Sequence, residues 1–190
     1  MALWPIIPRL DRRVIVTGTY NGGTGLTSWT TPFNAATLNL IVLSDSFLFD
    51  TGRFITPASA SGTTVTAVGD YSAGPVMIGR TFTMSAELSQ LFRRDFNGNA
   101  DLTSKLTIRS VDIEHRNSGN YQIRNKLNLR ADRVKSLRTE GDGAIEAVGK
   151  LRQWAPGRAD QTRIIIEATS HLPVNIAGVE MLVDVNPLMG

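Results

Sequence analysis

The chain has 190 residues, 42% hydrophobic and 19% charged, which is a composition typical of packed domains and not of a disordered segment. It contains no cysteine, which excludes disulfides, thiolate catalysis and cysteine-ligated metal sites. A formal net charge of +3 is too small to indicate nucleic-acid binding by itself, and no apolar run approaches the roughly 20 residues that a membrane helix needs.

The chain begins with a segment that we predict to be an extended arm over residues 1–11. Pro5 and Pro8 favour extended backbone, and Trp4 needs an apolar surface on this subunit, on a neighbouring subunit or on a further segment. No basic region precedes the apolar patch, so the segment does not have the pattern of a signal peptide. We predict two further parts, an N-terminal β segment over residues 12–72 and a β-sandwich domain over residues 73–190.

Short β-branched runs separated by glycine-rich turns predict strands in the first half of the chain. We expect a hairpin of Arg12–Tyr20 with Leu26–Phe33 around the glycines of residues 21–25, and further strands at Leu38–Val42 and Thr63–Val68. Asp50-Thr51-Gly52 resembles the active-site loop of aspartic proteases, which would require a dimer to supply a second aspartate. A strand end that turns at this sequence is the preferred interpretation.

The middle of the chain combines one clear strand pattern with a polar connection. Alternation over Arg80–Leu88 predicts an amphipathic strand. The acidic and amide residues of Asp95–Asp101 have the alternate spacing of a calcium loop. However, Ala100 stands where the turn needs glycine and Leu106 where the bidentate glutamate belongs, so we predict no calcium site.

The segment Ser104–Leu129 predicts two long strands joined as a hairpin by the polar turn Asn117–Asn120. Apolar residues alternate along the second strand. Along the first strand they change parity near Arg109 and Ser110, which predicts a β-bulge.

The segment after this hairpin is the most basic part of the chain. Its cations include Arg130, Arg133, Lys135 and Arg138. They are compatible with a surface that faces DNA phosphates or an acidic neighbour. No aromatic residues are interleaved with them, so a solvated loop is the preferred interpretation.

The last third of the chain predicts mostly strands. We expect a short helix at Ala144–Leu151, a loop around Trp154–Gly157, and strands at Thr162–Ala168 and Val179–Val185. The complete pattern predicts an all-β fold of antiparallel, sandwich-like sheets with long hairpins and little helix.

No residue pattern indicates catalysis, a metal or a cofactor. The two histidines, His115 and His171, lack a matching carboxylate motif, and no serine lies in a nucleophile elbow. A carbohydrate- or receptor-binding β-sandwich is the main alternative, and it would need an exposed aromatic platform drawn from Trp29, Trp154 and Tyr121.

Four stretches resemble the tail nozzle proteins of short-tailed bacteriophages, also called tail tubular protein B. They are Leu10–Pro32, Ile78–Asp95, Lys105–Ile123 and Arg158–Leu182. The order of these stretches carries the resemblance, which covers most of the chain and corresponds to the C-terminal portion of a family member or to a reduced form.

The resemblance implies a structural virion protein of the tail, assembled in the host cytoplasm, and not an enzyme. It implies a hexameric ring that DNA crosses during ejection and that contacts a tail adaptor protein and a tail fibre or spike. Ring interfaces join two different patches of each subunit, and we expect such contacts at Trp4, Trp154 and Pro156.

Overall fold

The computed structural model describes residues 9–50, 52–94, 96–101, 105–128, 130–139 and 145–186. Its contacts divide the chain into two compact units. The first unit runs through Phe82 and also includes Ser170–Pro173, while the second begins at Thr83. The division at residues 72 and 73 that the sequence suggested stays a prediction.

The described residues of the first unit form eight strands in two antiparallel sheets. The strands are β1 Asp11–Thr17, β2 Thr19–Asn21, β3 Leu26–Thr30, β4 Leu40–Leu43, β5 Phe54–Ile55, β6 Ser59–Ser61, β7 Thr64–Val68 and β8 Pro75–Arg80. One sheet has the order β1-β8-β4-β5 and the other the order β2-β3-β7-β6. β2 and β3 form a hairpin around the glycine-rich turn, but the predicted first strand Arg12–Tyr20 is divided. Its larger part, β1, pairs with β8 in the other sheet, so only Thr19–Asn21 pairs with β3 and the longer predicted hairpin was wrong.

The core of the first unit lies between its two sheets. Trp29 and Val65 from one sheet pack with Ile41, Val76 and Ile78 from the other, and all five side chains are buried. Their alternation with exposed residues along β3 and β7 is the period-two pattern that drives one sheet face against the other.

The predicted strand over Arg80–Leu88 is interrupted. β8 ends at Arg80, where its ladder with β1 ends, and strand pairing resumes at Met84 with a different partner in the second unit. Phe82 lies in the break with a half-exposed side chain. The prediction of one continuous strand was therefore wrong, because each half satisfies its backbone hydrogen bonds in a different sheet.

The second unit contains the longer strands of the protein. They are β9 Met84–Glu87, β10 Arg93–Arg94, β11 Ala100–Asp101, β12 Lys105–Ser118, β13 Tyr121–Leu127, β14 Arg133–Leu137, β15 Glu146–Arg158, β16 Thr162–Ala168 and β17 Ile176–Asn186. One sheet has the order β15-β12-β17, a second has the order β14-β13-β16-β9, and β10 pairs only with β11 among the described residues.

The core of the second unit is formed by the facing sides of the two larger sheets. Val111 and Ile113 of β12 pack in one buried cluster with Ile123 of β13 and with Ile164 and Ile166 of β16. All described ladders in both units are antiparallel, and the helical residues in the described part of the chain form two short 3-10 turns, Asp45–Asp50 and Ala159–Gln161. The predicted all-β, sandwich-like fold is confirmed.

The parity change in β12 is a β-bulge, as predicted. The register shifts between Ile108 and Ser110 against both neighbours, β15 and β17. The bulge turns the apolar residues on both sides of it toward the same core, because an extra residue restores the phase of a strand whose side chains alternate.

The strands β12 and β13 are not a hairpin, and that prediction was wrong. β12 pairs with β15 and β17, whereas β13 pairs with β14 and β16, so the turn at Asn117–Asn120 crosses from one sheet to the other. Asn117 has a positive φ of 45°. The crossing buries the apolar sides of both strands against each other, which a two-stranded ladder would not do.

Polar side chains hold this crossing in place. The buried Ser118 hydroxyl accepts a hydrogen bond from the backbone N–H of Asn175 at 2.9 Å. The side-chain oxygen of Asn120 accepts the backbone N–H of Thr139 at 2.7 Å. Each bond links the turn to the segment beside a different sheet, which explains why a turn-like sequence connects sheets here.

Two local predictions in the last third of the chain were also wrong. Residues 146–151 are the first part of β15 and not a helix, and Trp154–Gly157 continues the same strand and is not a loop. The ladder with β12 extends from Ser118, opposite Glu146, to Thr107, opposite Arg158. Pro156 is tolerated because β15 is an edge strand and because Ala155 and Pro156 together lie opposite the single residue Arg109, within the irregular part of the ladder.

In the part of the chain that the structure describes, no helix is long and apolar enough to cross a membrane.

Candidate functional site

A cleft of about 410 Å³ lies at one end of the second unit. Its walls come from the segment after β13, from the end of β15 and from the start of β16. The lining residues are Leu127, Asn128, Arg130, Pro156, Gly157, Arg158, Gln161 and Thr162. The cleft therefore brings together Pro156 and Arg130, which the sequence nominated for two separate reasons.

The floor of the cleft requires a glycine. A Cβ at Gly157 would lie 2.4 Å from the Thr162 hydroxyl oxygen and 2.7 Å from Leu127 Cδ2, so any larger residue would displace the floor. The Thr162 side chain is buried, and its hydroxyl has no hydrogen-bond partner among the described residues. The backbone N–H of Asn128 donates to the carbonyl of Gln161 at 3.2 Å and fixes one wall to the other.

Two guanidinium groups give the cleft its charge. Arg158 forms a two-point ion pair with Asp160, with nitrogen–oxygen distances of 3.0 and 2.6 Å. The side chain of Arg130 is exposed and makes no ion pair within the described ranges. The pair to Asp160 is itself half exposed, so it screens the charge of Arg158 without removing the group from solvent.

The remaining predicted basic residues continue away from the cleft. Arg133 and Lys135 lie on β14, the edge strand of its sheet, and Arg138 follows that strand. All three are exposed, and none forms an ion pair with another described residue. The basic segment is therefore a strand edge over part of its length and not the loop that the sequence suggested.

Arg124 differs from these cations because it is neutralised by acids. It donates to Glu167 at 3.0 Å and to Asp132 at 3.4 Å. Hydrogen bonds from Gln122 and then from Arg124 hold the pKa of Glu167 below its usual value, and the bond to Glu167 raises the pKa of Arg124. This network belongs to the sheet surface, and Arg124 is not among the residues that line the cleft.

Trp154 occupies the outer face of the sheet β15-β12-β17. It lies opposite Ser110 of β12, and Leu182 of β17 lies opposite Ser110 on the other side. Trp154 is 66% exposed and Leu182 57% exposed, while Ser110 between them is buried. The contact of Trp154 stays a prediction, and the structure adds Leu182 to it as a second exposed apolar side chain in the same row.

An ion-pair network lies directly beside this apolar row. Asp112 accepts two hydrogen bonds from Arg152, at 2.7 and 2.6 Å, and lies 3.3 Å from the ammonium group of Lys150. The bonds from Arg152 hold the pKa of the Asp112 carboxyl below its usual value. Lys150 also binds Glu180 of β17 at 2.6 Å, so charges tie all three strands together.

The two histidines have structural surroundings. His115 is buried, its Nδ1 lies 2.9 Å from the Tyr121 hydroxyl and its Nε2 lies 3.0 Å from Glu146. His171 is buried beside Phe54, with ring centroids 5.3 Å apart. Within the described residues, no group of three or more histidine and carboxylate side chains is arranged to hold a metal ion.

Several predicted sites find no support. The aromatic platform of the carbohydrate-binding alternative fails, because Trp29 is 1% exposed and Tyr121 is 3% exposed. Asp50 ends a 3-10 turn and forms an ion pair with Arg53 at 3.0 Å, which is unlike a carboxylate that shares a proton with a second aspartate. Trp4 and Asp95 lie outside the described residues.

Sequence reasoning missed the rest of the cleft and the second half of the apolar row. Arg158, Gln161 and Thr162 are about 30 positions from Arg130, and only the pairing of Leu127 with Thr162 brings them to it. The alternation along β17 placed Leu182 on the other face of the strand from Val179, Met181 and Val183. This position predicted an exposed side chain and could have been used.

Comparison with known proteins identifies the family. A search of curated proteins found no match to this chain. The family model described as bacteriophage nozzle protein matches residues 5–186, which is nearly the whole chain. The family is one of structural proteins of the phage tail, as the resemblance of the four stretches implied. The chain therefore belongs to the bacteriophage nozzle protein family.

Proposed function

We propose that the protein is a subunit of a homo-oligomeric tail tube through which phage DNA leaves the particle. The match to the nozzle family over residues 5–186 is the observation that carries this proposal. A hexameric ring, an adaptor protein above it and fibres or spikes around it are part of the proposal. Assembly takes place in the host cytoplasm, and the role is structural and not catalytic.

We assign one subunit contact to the apolar row on the outer face of β15-β12-β17. Trp154 and Leu182 are exposed side chains in one row, and salt-bridged polar residues border them, as at the core and rim of many interfaces. Ring closure requires a second, different patch, to which we assign the arm around Trp4. Pro156 lies at the rim of the cleft, two positions along β15 from Trp154.

The location of the protein in the particle tests the tail role directly. Mass spectrometry of isolated tails and antibody labelling of purified particles should place it in the tail, and negative-stain images should show rings. A chain that is absent from purified particles and stays monomeric at high concentration would overturn the proposal.

The contact itself is tested by truncating the apolar row. Trp154→Ala combined with Leu182→Ala should weaken self-association at least about tenfold, because each buried anchor contributes more than about 1 kcal/mol. Val68→Ala is the matched control, since Val68 is 70% exposed in the first unit. Sedimentation at several concentrations measures the effect, and equal behaviour of the two variants would exclude this face as a contact.

A further inference from the structure

We propose that the cleft at the end of the second unit binds a backbone phosphate of duplex DNA through Arg130 and Arg158. The proposal rests on the proposed tail-tube function for the source of the DNA, but the binding itself is a property of the isolated chain. The cleft volume of about 410 Å³ lies in the range of about 300–1,000 Å³ typical of small-ligand sites.

The donor set of the cleft suits a phosphate group. Arg130 offers its whole guanidinium group, and Arg158 offers the N–H groups that Asp160 does not bind. The side-chain amides of Asn128 and Gln161 make no hydrogen bond within the described residues. The Thr162 hydroxyl below the floor is buried and has no hydrogen-bond partner in the described part of the chain. Phosphate oxygens only accept hydrogen bonds, so they match a lining whose polar side chains are mainly donors.

The surroundings favour a polyanion over a single acidic side chain. Arg133 and Lys135 are two positions apart on an edge strand, which spaces their α-carbons by about 6.6 Å. The nearby carboxylates are already occupied, Asp160 by Arg158 and Asp132 by Arg124. A row of exposed cations that ends in a donor-rich cleft is suited to repeated phosphates.

The apolar residues of the lining favour binding of duplex over single-stranded nucleic acid. Leu127 and Pro156 are the large apolar lining residues, and the cleft has no aromatic side chain. Binding of single strands relies on bases stacked upon aromatic rings. The cleft lacks this platform, so we infer contact with the sugar–phosphate backbone and no sequence preference.

Fluorescence anisotropy of the full chain with two unrelated short duplexes, from about 50 to about 200 mM salt, tests the proposal. Arg130→Ala should weaken binding about threefold or more and reduce the slope of log K against log salt by about 0.9. Arg158→Ala should also weaken binding but reduce the slope by less, because Asp160 already pairs with this guanidinium. Arg116→Ala is the matched control, because Arg116 is exposed near the opposite end of the same sheet. It should lose less than either cleft variant.

Asp160→Asn tests whether Arg158 binds the ligand, because this substitution should strengthen binding only if Arg158 contacts the DNA. Asp160 holds the Arg158 guanidinium in a two-point ion pair, so its neutralisation releases that cation to the ligand. We expect tighter duplex binding and a steeper salt dependence by up to about 0.9. Unchanged or weaker binding would contradict the role of Arg158.

The remaining outcomes separate the possible sources of the anion. No duplex binding, or equal effects of the cleft and control variants, overturns the proposal. The proposal is also overturned if inorganic phosphate shifts the amide resonances of Asn128 and Gly157 and duplex DNA does not. In that case the site binds a free anion. Polyglutamate that binds as tightly, with the same sensitivity to Arg130→Ala, would assign the cleft to an acidic protein. If duplex binding fails in a protein that is present in tails, only the cleft proposal falls.

Discussion

Replacement of Tyr121 by phenylalanine tests how the sheet crossing of the second unit is stabilised. The Tyr121 hydroxyl lies 2.9 Å from Nδ1 of His115, and the rings of both residues are in edge contact. Glu146 accepts at the other ring nitrogen, Nε2, at 3.0 Å. Since a carboxylate only accepts, we assign the proton to Nε2, and Nδ1 then accepts the tyrosine O–H.

The expected loss follows from burial. Tyr121 is 3% exposed and His115 is 1% exposed, so water cannot replace the lost hydroxyl group at Nδ1. Leaving a buried acceptor without a partner costs about 1–3 kcal/mol, while the phenylalanine ring preserves the packing. Burial first, and then the charge of Glu146, raise the pKa of Tyr121 to about 12, so the hydroxyl remains a donor at neutral pH.

Urea unfolding measured by near-ultraviolet circular dichroism provides the assay. With a slope of about 1–3 kcal/mol per molar urea, a loss of about 2 kcal/mol lowers the midpoint of the second unit by about 1 M. Tyr20→Phe is the matched control, because Tyr20 is 37% exposed in the first unit and should shift nothing measurable. If the two variants unfold at the same urea concentration, the bond between Tyr121 and His115 does not stabilise the crossing.

Two further substitutions probe the same sheet. Gly149→Ala should destabilise the second unit by about 1–3 kcal/mol in urea, because a Cβ there would lie 2.6 Å from His115 Nε2, whereas Gly22→Ala, with its closest contact at 3.9 Å, is a mild control. Asp112→Asn should lower stability at pH 7, and equal unfolding midpoints there would contradict this. The Arg152 bonds depress the folded pKa of Asp112 below 3.8, so its contribution is present above pH 3.8 and is lost as the pH falls further. The difference in unfolding free energy between Asp112→Asn and the unchanged chain should therefore be smaller at about pH 3 than at pH 7, as measured by urea unfolding.

The parts of the fold that the sequence predicted are those whose information is local. A continuous apolar run over Thr162–Ala168 identified β16, whose three isoleucines are all buried. Alternation over Val179–Val185 identified β17. The bulge near Ser110 was predicted for the same reason. Its apolar residues must change parity in the sequence to face one core in the structure.

The predictions that were wrong concern segments whose structure depends on partners far away in the chain. Residues 146–151 have no strong strand pattern of their own, yet they are held in β15 by a ladder to β12 and by the ion pairs of Lys150. Propensity favoured a short helix, and tertiary pairing overrode it. The turn at Asn117–Asn120 has hairpin chemistry, but its side chains bond Asn175 and Thr139 and direct the next strand into the opposite sheet.

The candidate site shows the same division between local and distant information. Arg130 lies in a segment of the sequence that is rich in basic residues, and this local composition was sufficient to predict an exposed cation that could face an anion. The cleft around it exists only because β13 pairs with β16 in the register that sets Leu127 opposite Thr162, and because Gly157 allows β15 to approach both. A shift of that register by one residue would turn Thr162 to the outer face and open the floor. The site is therefore a consequence of sheet pairing, and substitutions that preserve every charge but disturb the register should abolish it.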